Sequence, residues 1–485
     1  MTSLLPLLPI LGFVIALFGL TMLVPLGFAL AGRDAALPAH GAAIVITLCC
    51  GLVLWWLSRR YKRELQPRDG FLLVVLIWTV LPMFAMLPML LALPDVSVTD
   101  AYFEAMSGLT ASGGTAFEGL DRLPLSINVW RCFLQLIGGL GVVVMAVAVL
   151  PLLGVGGAQL YKAETPGPMK DAKLTPRIAE TARGLWSVYG ALSLACMLAY
   201  RAAGMNWADA FMHMCSTMGL GGFSAYDASF GHWNSPAIEA VAVVFMLIAG
   251  VNFARYFMVW RERSLRALLR CRETRTYLLV LAGTTALITL YLVVHETYAE
   301  VGQALRHTAF HVVSLATTTG YASTDYAQWP LFAPMLMILL GCFAGCAGSA
   351  SGGVKMIRML LLVKQARHEL VRIVHPRAVL PVTFGGTRVP QQVLSSVIAF
   401  MVIYGMTLAS LTLAMLFTGL EPITAATAVI ASVNNIGPGL GDVGPAVNFK
   451  GLTDLQTWIC TLGMLLGRLE LMSVLVLLTP QFWRK

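Results

Sequence analysis

Residues Thr317 to Ser323 read TTTGYAS, three hydroxyl side chains and a glycine placed where an apolar run would otherwise continue. Around them lies a chain of 485 residues that is 58% hydrophobic and 12% charged, with a mean hydropathy of +0.77. A soluble domain carries roughly 25% charge. The runs Leu4 to Leu30, Ile44 to Leu57, Phe71 to Leu93, Leu278 to Val294 and Val393 to Leu416 approach or exceed the ~20 residues with which a helix crosses hydrocarbon. The chain therefore reads as an all-α polytopic membrane protein. Its first run lacks a basic leading segment and is longer than a signal core, which predicts a retained helix. The nine cysteines fall mostly inside apolar runs with no CxxC pair, the pattern of buried free thiols.

Charge sorts along the chain. Segments 59–68, 161–183, 255–275 and 355–388, with the tail, hold 26 of the 33 Lys and Arg, including RERSLRALLRCRETR from Arg261 to Arg275. The excess of positive charge predicts that these segments and both termini face the cytoplasm. The intervening loops carry six basic residues (Arg33, Arg122, Arg131, Arg201, Arg306, Lys450) against fifteen acids, a balance of −9. Such a field gathers cations at the outer face, although an acidic outer surface also accompanies the positive-inside bias by itself.

With that orientation one pattern recurs four times: an outward apolar run, a short half-helix, a Ser/Thr/Gly cluster, and a run returning inward. The clusters are TASGGTAF from Thr110, STMGLGGFSAYD from Ser216, TTTGYASTDY from Thr317 and SVNNIGPGLGDVG from Ser432; they align on Gly113, Gly222, Gly320 and Gly437, spaced by 109, 98 and 117 residues. None of the preceding half-helices is long enough to span. A repeat near one hundred residues predicts four similar units, bounded at 70–158, 159–262, 263–365 and 366–485, with an amino-terminal transmembrane hairpin at 1–69 outside the repeat. Backbone that is neither helix nor barrel is tolerated at membrane depth only where protein buries it or a wet cavity adjoins it. Four helix carboxyl ends would bring partial negative charge to that cavity. Glycine lets successive carbonyls point one way, and threonine hydroxyls brace the loop or add oxygens. A ring of carbonyls can then replace the hydration shell of a monovalent cation.

At EAMSGLTASGGT, WRCFLQLIGGLGVVVMAVAVLP, GGFSAYDASFGHWNS, TTTGYASTDY, GCAGSASGGVKMIR and NNIGPGLGDVGPAVNF the chain resembles the Trk/Ktr/HKT superfamily of potassium transporters, most of all its TrkH-type membrane subunits. The resemblance covers nearly the whole chain. It implies four joined helix–pore loop–helix units with pseudo-fourfold symmetry around one pore in a bacterial inner membrane, and a homodimer. It also implies a potassium-binding selectivity filter at Thr110, Ala111, Ser112 and Gly113, at Leu220, Gly221 and Gly222, at Thr318, Thr319 and Gly320, and at Asn435, Ile436 and Gly437. The first loop departs from the family, reading TASGG where TTTGA is more frequent, but keeps its glycine. In the second loop Gly221 and Gly222 both remain open as the filter glycine, with Gly222 preferred because Phe223 then matches Tyr321.

The stretch Gly341 to Lys355, GCFAGCAGSASGGVK, interrupts the second helix of the third unit. Small residues there permit close helix packing; the family resemblance implies instead an intramembrane gate below the filter, at Gly345, Gly348, Ser349, Gly352 and Gly353. Arg468 stands inside LGMLLGRLELMSVLVLLTP, where a charge needs a cavity or a partner. The alternatives are an ion pair with Glu470 and, by resemblance, a side chain projecting into the pore. His213 and His311 read as hydrogen-bonded packing residues, and Asn434 and Asn435 as loop supports or oxygen ligands. The arginines between Arg261 and Arg275 suit anionic lipid or a protein partner.

GVGG at Gly154 to Gly157 lacks the spacing of a nucleotide fingerprint, and nothing suggests an enzyme, a covalent cofactor or nucleic-acid binding. By resemblance, ATP/ADP or NAD would act only on a separate cytosolic TrkA-type regulatory subunit docked on the basic loops. The rival reading is a proton- or sodium-coupled potassium symporter, whose broken helices would come as inverted repeats.

Overall fold

The computed structural model describes residues 5–61, 66–149, 178–264, 268, 271–377, 381–384, 387–469 and 471–484. Gly154 to Gly157, most of segment 161–183 and Glu470 lie outside the described residues. Among the described residues the fold is helical, apart from one short antiparallel pairing of Thr383–Phe384 with Thr387–Arg388. Among the described residues five helices are long and apolar enough to cross a membrane, or seven if each of two bent pairs counts as one span.

The amino-terminal hairpin is α1 (Leu8–Thr21), α2 (Leu23–Gly32) and α3 (Leu37–Ser58). The sequence predicts one helix over Leu4 to Leu30; the structure divides it at Met22, before Pro25, and runs the remainder to Gly32. α1 lies along α3, and at Gly12 and Gly51 the two backbones are so close that a Cβ on either would meet the other helix nearer than 3.0 Å. Small residues take this role between helices that share lipid as solvent. Cys49 and Cys50 on α3 are exposed, correcting their reading as buried thiols. They occupy the face that α1 leaves uncovered.

Four units follow. The first is α4 (Pro67–Ala85), its short continuation α5 (Leu87–Ala92), α6 (Val98–Thr110) and α7 (Leu125–Val149). The second is α8 (Ile178–Ala202), α9 (Trp207–Gly219), α10 (Pro236–Ala249) and α11 (Phe253–Glu262). The third is α12 (Arg272–Val294), α13 (Val301–Ala316), α14 (Phe332–Gly341) and α15 (Met356–Val374). The fourth is α16 (Gln391–Phe417), α17 (Pro422–Asn434), α18 (Asp454–Arg468) and α19 (Leu471–Leu475).

The half-helices α6, α9, α13 and α17 have 13, 13, 16 and 13 residues. At ~1.5 Å per residue none reaches across ~30 Å of hydrocarbon. Their starts are written in the sequence: Ser97 accepts the Asp100 N–H at 3.0 Å and Asn206 accepts that of Asp209 at 2.8 Å, and Pro422 opens α17. Short polar caps and a leading proline satisfy or avoid the unpaired first-turn donors.

The sequence marks only the third returning helix as broken, yet all four are. α7 kinks at Gly141, where φ is 85°. α10 and α11 meet at 89° across Gly250 to Asn252. Residues 342–355 separate α14 from α15, and the span begun by α18 turns by 108° after Arg468.

Candidate functional site

The four half-helices end in one repeated backbone design. A residue in the left-handed conformation closes each: Ala111 at φ 52°, Leu220 at 54°, Thr318 at 61° and Asn435 at 53°. The next residue, Ser112, Gly221, Thr319 or Ile436, donates its N–H to the carbonyl five positions back, on Ser107, Ser216, Ser314 and Ala431 at 2.8–2.9 Å. Such a bond satisfies a terminal carbonyl and turns the chain off the helix. Next comes a glycine with positive φ: Gly113 at 88°, Gly222 at 76°, Gly320 at 83° and Gly437 at 101°. Gly222 thus shares the backbone of the other three aligned glycines, and Gly221 shares that of Ser112, Thr319 and Ile436.

These turns close on one another. A Cβ on Gly113 would come nearer than 3.0 Å to the carbonyl oxygen of Gly221, one on Gly222 to that of Thr319, and one on Gly320 to that of Ile436. One on Gly437 would stand 3.1 Å from the oxygen of Ser112. Each glycine therefore abuts the carbonyl that precedes the next unit's glycine, in the cycle one, two, three, four, one. Gly113 also faces Thr319 O, two units away, at 3.5 Å from such a Cβ. Of the predicted residues, the four glycines and the residues just before them, Ser112, Gly221, Thr319 and Ile436, are brought together in one small ring.

Buried side chains hold the arms of the ring. Glu104 accepts the Ala116 N–H at 2.9 Å and the Thr115 hydroxyl at 2.9 Å, and pairs with Arg131 at 2.6 Å with both side chains fully buried. Arg131 also donates to Ser224 O in the second loop at 3.2 Å and lies 4.5 Å from the ring of Phe223. The sequence counts Arg131 among the outer loop charges; the structure makes it an interior residue of α7, its charge neutralised within the first unit by Glu104 and its guanidinium reaching the second unit at Ser224 O. Nine residues before their glycines, as Glu104 is, stand His213 and His311. His213 Nε2 shares a hydrogen bond with the Ser224 hydroxyl at 3.0 Å, and His311 Nε2 accepts the Ser323 N–H at 3.2 Å. The fourth unit has Ala428 there, and neighbouring Thr427 accepts the Leu440 N–H at 2.9 Å.

Several hydroxyls and amides at the base of the loops hydrogen-bond to their own or neighbouring helices. Thr110 and Thr317 donate back to Met106 O and Val313 O, both at 2.7 Å. Asn434 Oδ1 accepts the Tyr404 hydroxyl at 2.9 Å, while Asn435 Nδ2 reaches Met464 O at 3.5 Å. Gln135, unremarked in the sequence, donates to Gly221 O at 2.8 Å and accepts the Phe223 N–H at 3.0 Å. Asn128, Arg131 and Gln135 fall three and four residues apart, a polar stripe on one face of α7. That spacing inside an apolar run was the available signal.

Segment 342–355 packs directly against the third and fourth loops. Gly352 N–H donates to the Thr318 hydroxyl at 2.8 Å, and a Cβ at Gly352 would collide with Asn434 O. A Cβ at Gly345 would collide with the Ser351 hydroxyl, and one at Gly348 with the Asn252 amide. Ser349 donates to Cys346 O at 2.6 Å, and Gly353 lies against Cys342 O. Glu273, at the start of α12, accepts the Ala347 N–H at 2.8 Å. The Arg468 guanidinium spans this segment and α7, donating to Ala350 O at 3.1 Å, to Gly139 O at 3.1 Å and to Gly138 O. Among the described residues no group of three or more His, Cys, Asp or Glu side chains has metal-site geometry.

Comparison with known proteins agrees with this architecture. The family model described as "TrkH: Cation transport protein" matches residues 37–485. A "Trk system potassium uptake protein TrkH" from Vibrio parahaemolyticus is 45% identical over 478 residues, covering 98% of each chain. The protein of that name from Escherichia coli K12 is 44% identical over 477 residues, again 98% of each. The crystal structure of the potassium transporter TrkH from Vibrio parahaemolyticus superposes with a TM-score of 0.89 at 42% identity, covering 100% of this chain and 99% of that one. The chain is an integral membrane protein, not an enzyme, and belongs to the TrkH family of cation transport proteins.

Proposed function

We propose that this chain takes up potassium across the bacterial inner membrane through the ring formed by its four loops. The observation that carries the proposal is the cyclic contact of Gly113, Gly222, Gly320 and Gly437 with the carbonyls of Gly221, Thr319, Ile436 and Ser112. Main-chain oxygens so fixed can replace a cation's water without reorganising, and the half-helix carboxyl ends favour positive charge there. Potassium is the ion named for the Trk relatives, and it dehydrates more readily than sodium. No resident cofactor is required.

Segment 342–355 is the gate in this reading. It sits against the base of the ring and is tied to Arg468, to Thr318 and to Glu273 by single hydrogen bonds, a set that can be made and broken. The four units follow the repeat, with the third joined to the fourth beyond Val374 because α15 is continuous across residue 365. Cytoplasmic termini, a homodimer and a cytosolic TrkA-type subunit reading ATP/ADP or NAD complete the proposal, supported by the charge sorting and by the word "system" in the relatives' names. Purified protein in liposomes under separate potassium, sodium and proton gradients tests it. Potassium flux that follows only its own gradient supports a channel-like path; flux driven uphill by a proton or sodium gradient makes the chain a symporter, and sodium flux equal to potassium flux removes the selectivity claim.

A further inference from the structure

In three of the four loops the residue before the ring glycine brings its own side chain, Ser112, Thr319 or Ile436; in the second it is Gly221. The space is filled from another unit. A Cβ at Gly221 would come within 3.0 Å of Cδ, Nε2 and Oε1 of Gln135. Gln135 is fully buried on α7 of the first unit. Its amide brackets Gly222, donating to the carbonyl before it (Gly221 O, 2.8 Å) and accepting from the N–H after it (Phe223, 3.0 Å). This pair of bonds needs a donor and an acceptor on one uncharged side chain, which an amide supplies on two separate atoms.

We propose that Gln135 is a specificity-determining positioning residue, which sets the orientation of the Gly221 carbonyl in the ring and replaces in trans the side chain that the second loop lacks. Gly221 O is also the atom that faces Gly113, so Gln135 fixes the junction of the first and second units. A carbonyl held at one angle discriminates between cations of different radius; released, it adapts to either. The inference rests on the reading of the four loops as the filter.

The test measures potassium and sodium flux per inserted protein in liposomes for Gln135→Ala, Gln135→Met, Gly221→Ser, the Gln135→Ala/Gly221→Ser pair and Gly320→Ser. Methionine keeps the volume and loses both hydrogen bonds, so it serves if alanine leaves too large a cavity for folding. The potassium-to-sodium ratio should fall roughly three- to tenfold in Gln135→Met and Gln135→Ala, the scale of one net hydrogen bond. It should fall in Gly221→Ser, whose new side chain displaces the amide, and return toward the parent in the double variant, where the serine occupies the vacated space. A purely structural role would lower thermal stability and leave the ratio alone. Folded Gln135→Ala or Gln135→Met with the parental ratio overturns the inference if Gly320→Ser has shifted it; if Gly320→Ser also leaves the ratio unchanged, the filter reading itself fails. Absence of rescue in the double variant overturns the replacement in trans.

Discussion

Arg131 and Arg468 are both guanidiniums inserted among apolar residues. Arg131 has Glu104 at 2.6 Å with neither side chain exposed. Breaking such a pair from one side leaves an uncompensated buried charge and costs about 3–5 kcal/mol, whereas replacing both partners is far milder. Arg131→Met should therefore lower the thermal unfolding temperature and the yield of monodisperse protein, and Arg131→Met/Glu104→Gln should recover much of the loss. A single variant as stable as the parent would show that the pair does not hold the first two loops together. Arg468 donates to carbonyls of Ala350, Gly138 and Gly139. In the proposed function it opposes conduction in two ways, as a positive charge beside the path and as a tie on segment 342–355. At an effective dielectric of about 20, its repulsion of a monovalent ion ~6 Å away is about 3 kcal/mol. Both effects have one sign, so Arg468→Ala should raise maximal potassium flux per inserted protein. Arg468→Lys keeps the charge but cannot span three carbonyls with a planar fork, and should fall between. A folded alanine variant with unchanged or lower flux would leave Arg468 a packing role alone.

At the scale of elements, segment 342–355 makes a sharper claim than its small residues alone. It contributes an N–H to Thr318 and a carbonyl to Arg468 while its ends are continuous with α14 and α15. Deleting Ala347 to Ser351 removes the Arg468 acceptor and shortens the obstruction without touching the ring. Basal potassium flux should rise and the potassium-to-sodium ratio should stay at its parental value. An inserted, folded deletion variant that conducts no faster excludes the segment as the gate. The half-helices and the third break were legible because hydroxyls and glycines interrupt apolar runs conspicuously. The breaks in α7 and α10 were not, since Gly141 and Gly250 stand among apolar neighbours that tolerate a continuous helix. Yet Gly141, Gly250 and Gly348 are spaced by 109 and 98 residues, the same intervals as the first three ring glycines, so the repeat itself carried that information. The choice between Gly221 and Gly222 depends on backbone angle, which two adjacent glycines do not reveal in sequence. Gln135 was missed for a related reason: its partners are main-chain atoms of another unit, some 86 residues away.

At the scale of the molecule, the loops with six basic residues and fifteen acids lose one of each when Arg131 and Glu104 are assigned to the interior, so the balance of −9 is unchanged. The field that gathers cations therefore stands on residues such as Asp121, Asp227, Asp325 and Asp442, and the interior pair is a fastener. Four separate loops, each individually unremarkable, come together only because the units return to the same point, and the proposed selectivity depends on that closure. It is tested most directly by introducing serine singly at Gly113, Gly222, Gly320 and Gly437 and measuring the potassium-to-sodium flux ratio of each folded variant in liposomes. Left-handed backbone disfavours a side chain by about 1–2 kcal/mol per residue, and at the first three positions the new Cβ also meets a neighbouring unit's carbonyl nearer than 3.0 Å, against 3.1 Å at Gly437. A lowered ratio is expected in all four variants, mildest for Gly437→Ser. Normal flux with an unchanged ratio in Gly113→Ser, Gly222→Ser and Gly320→Ser would contradict it.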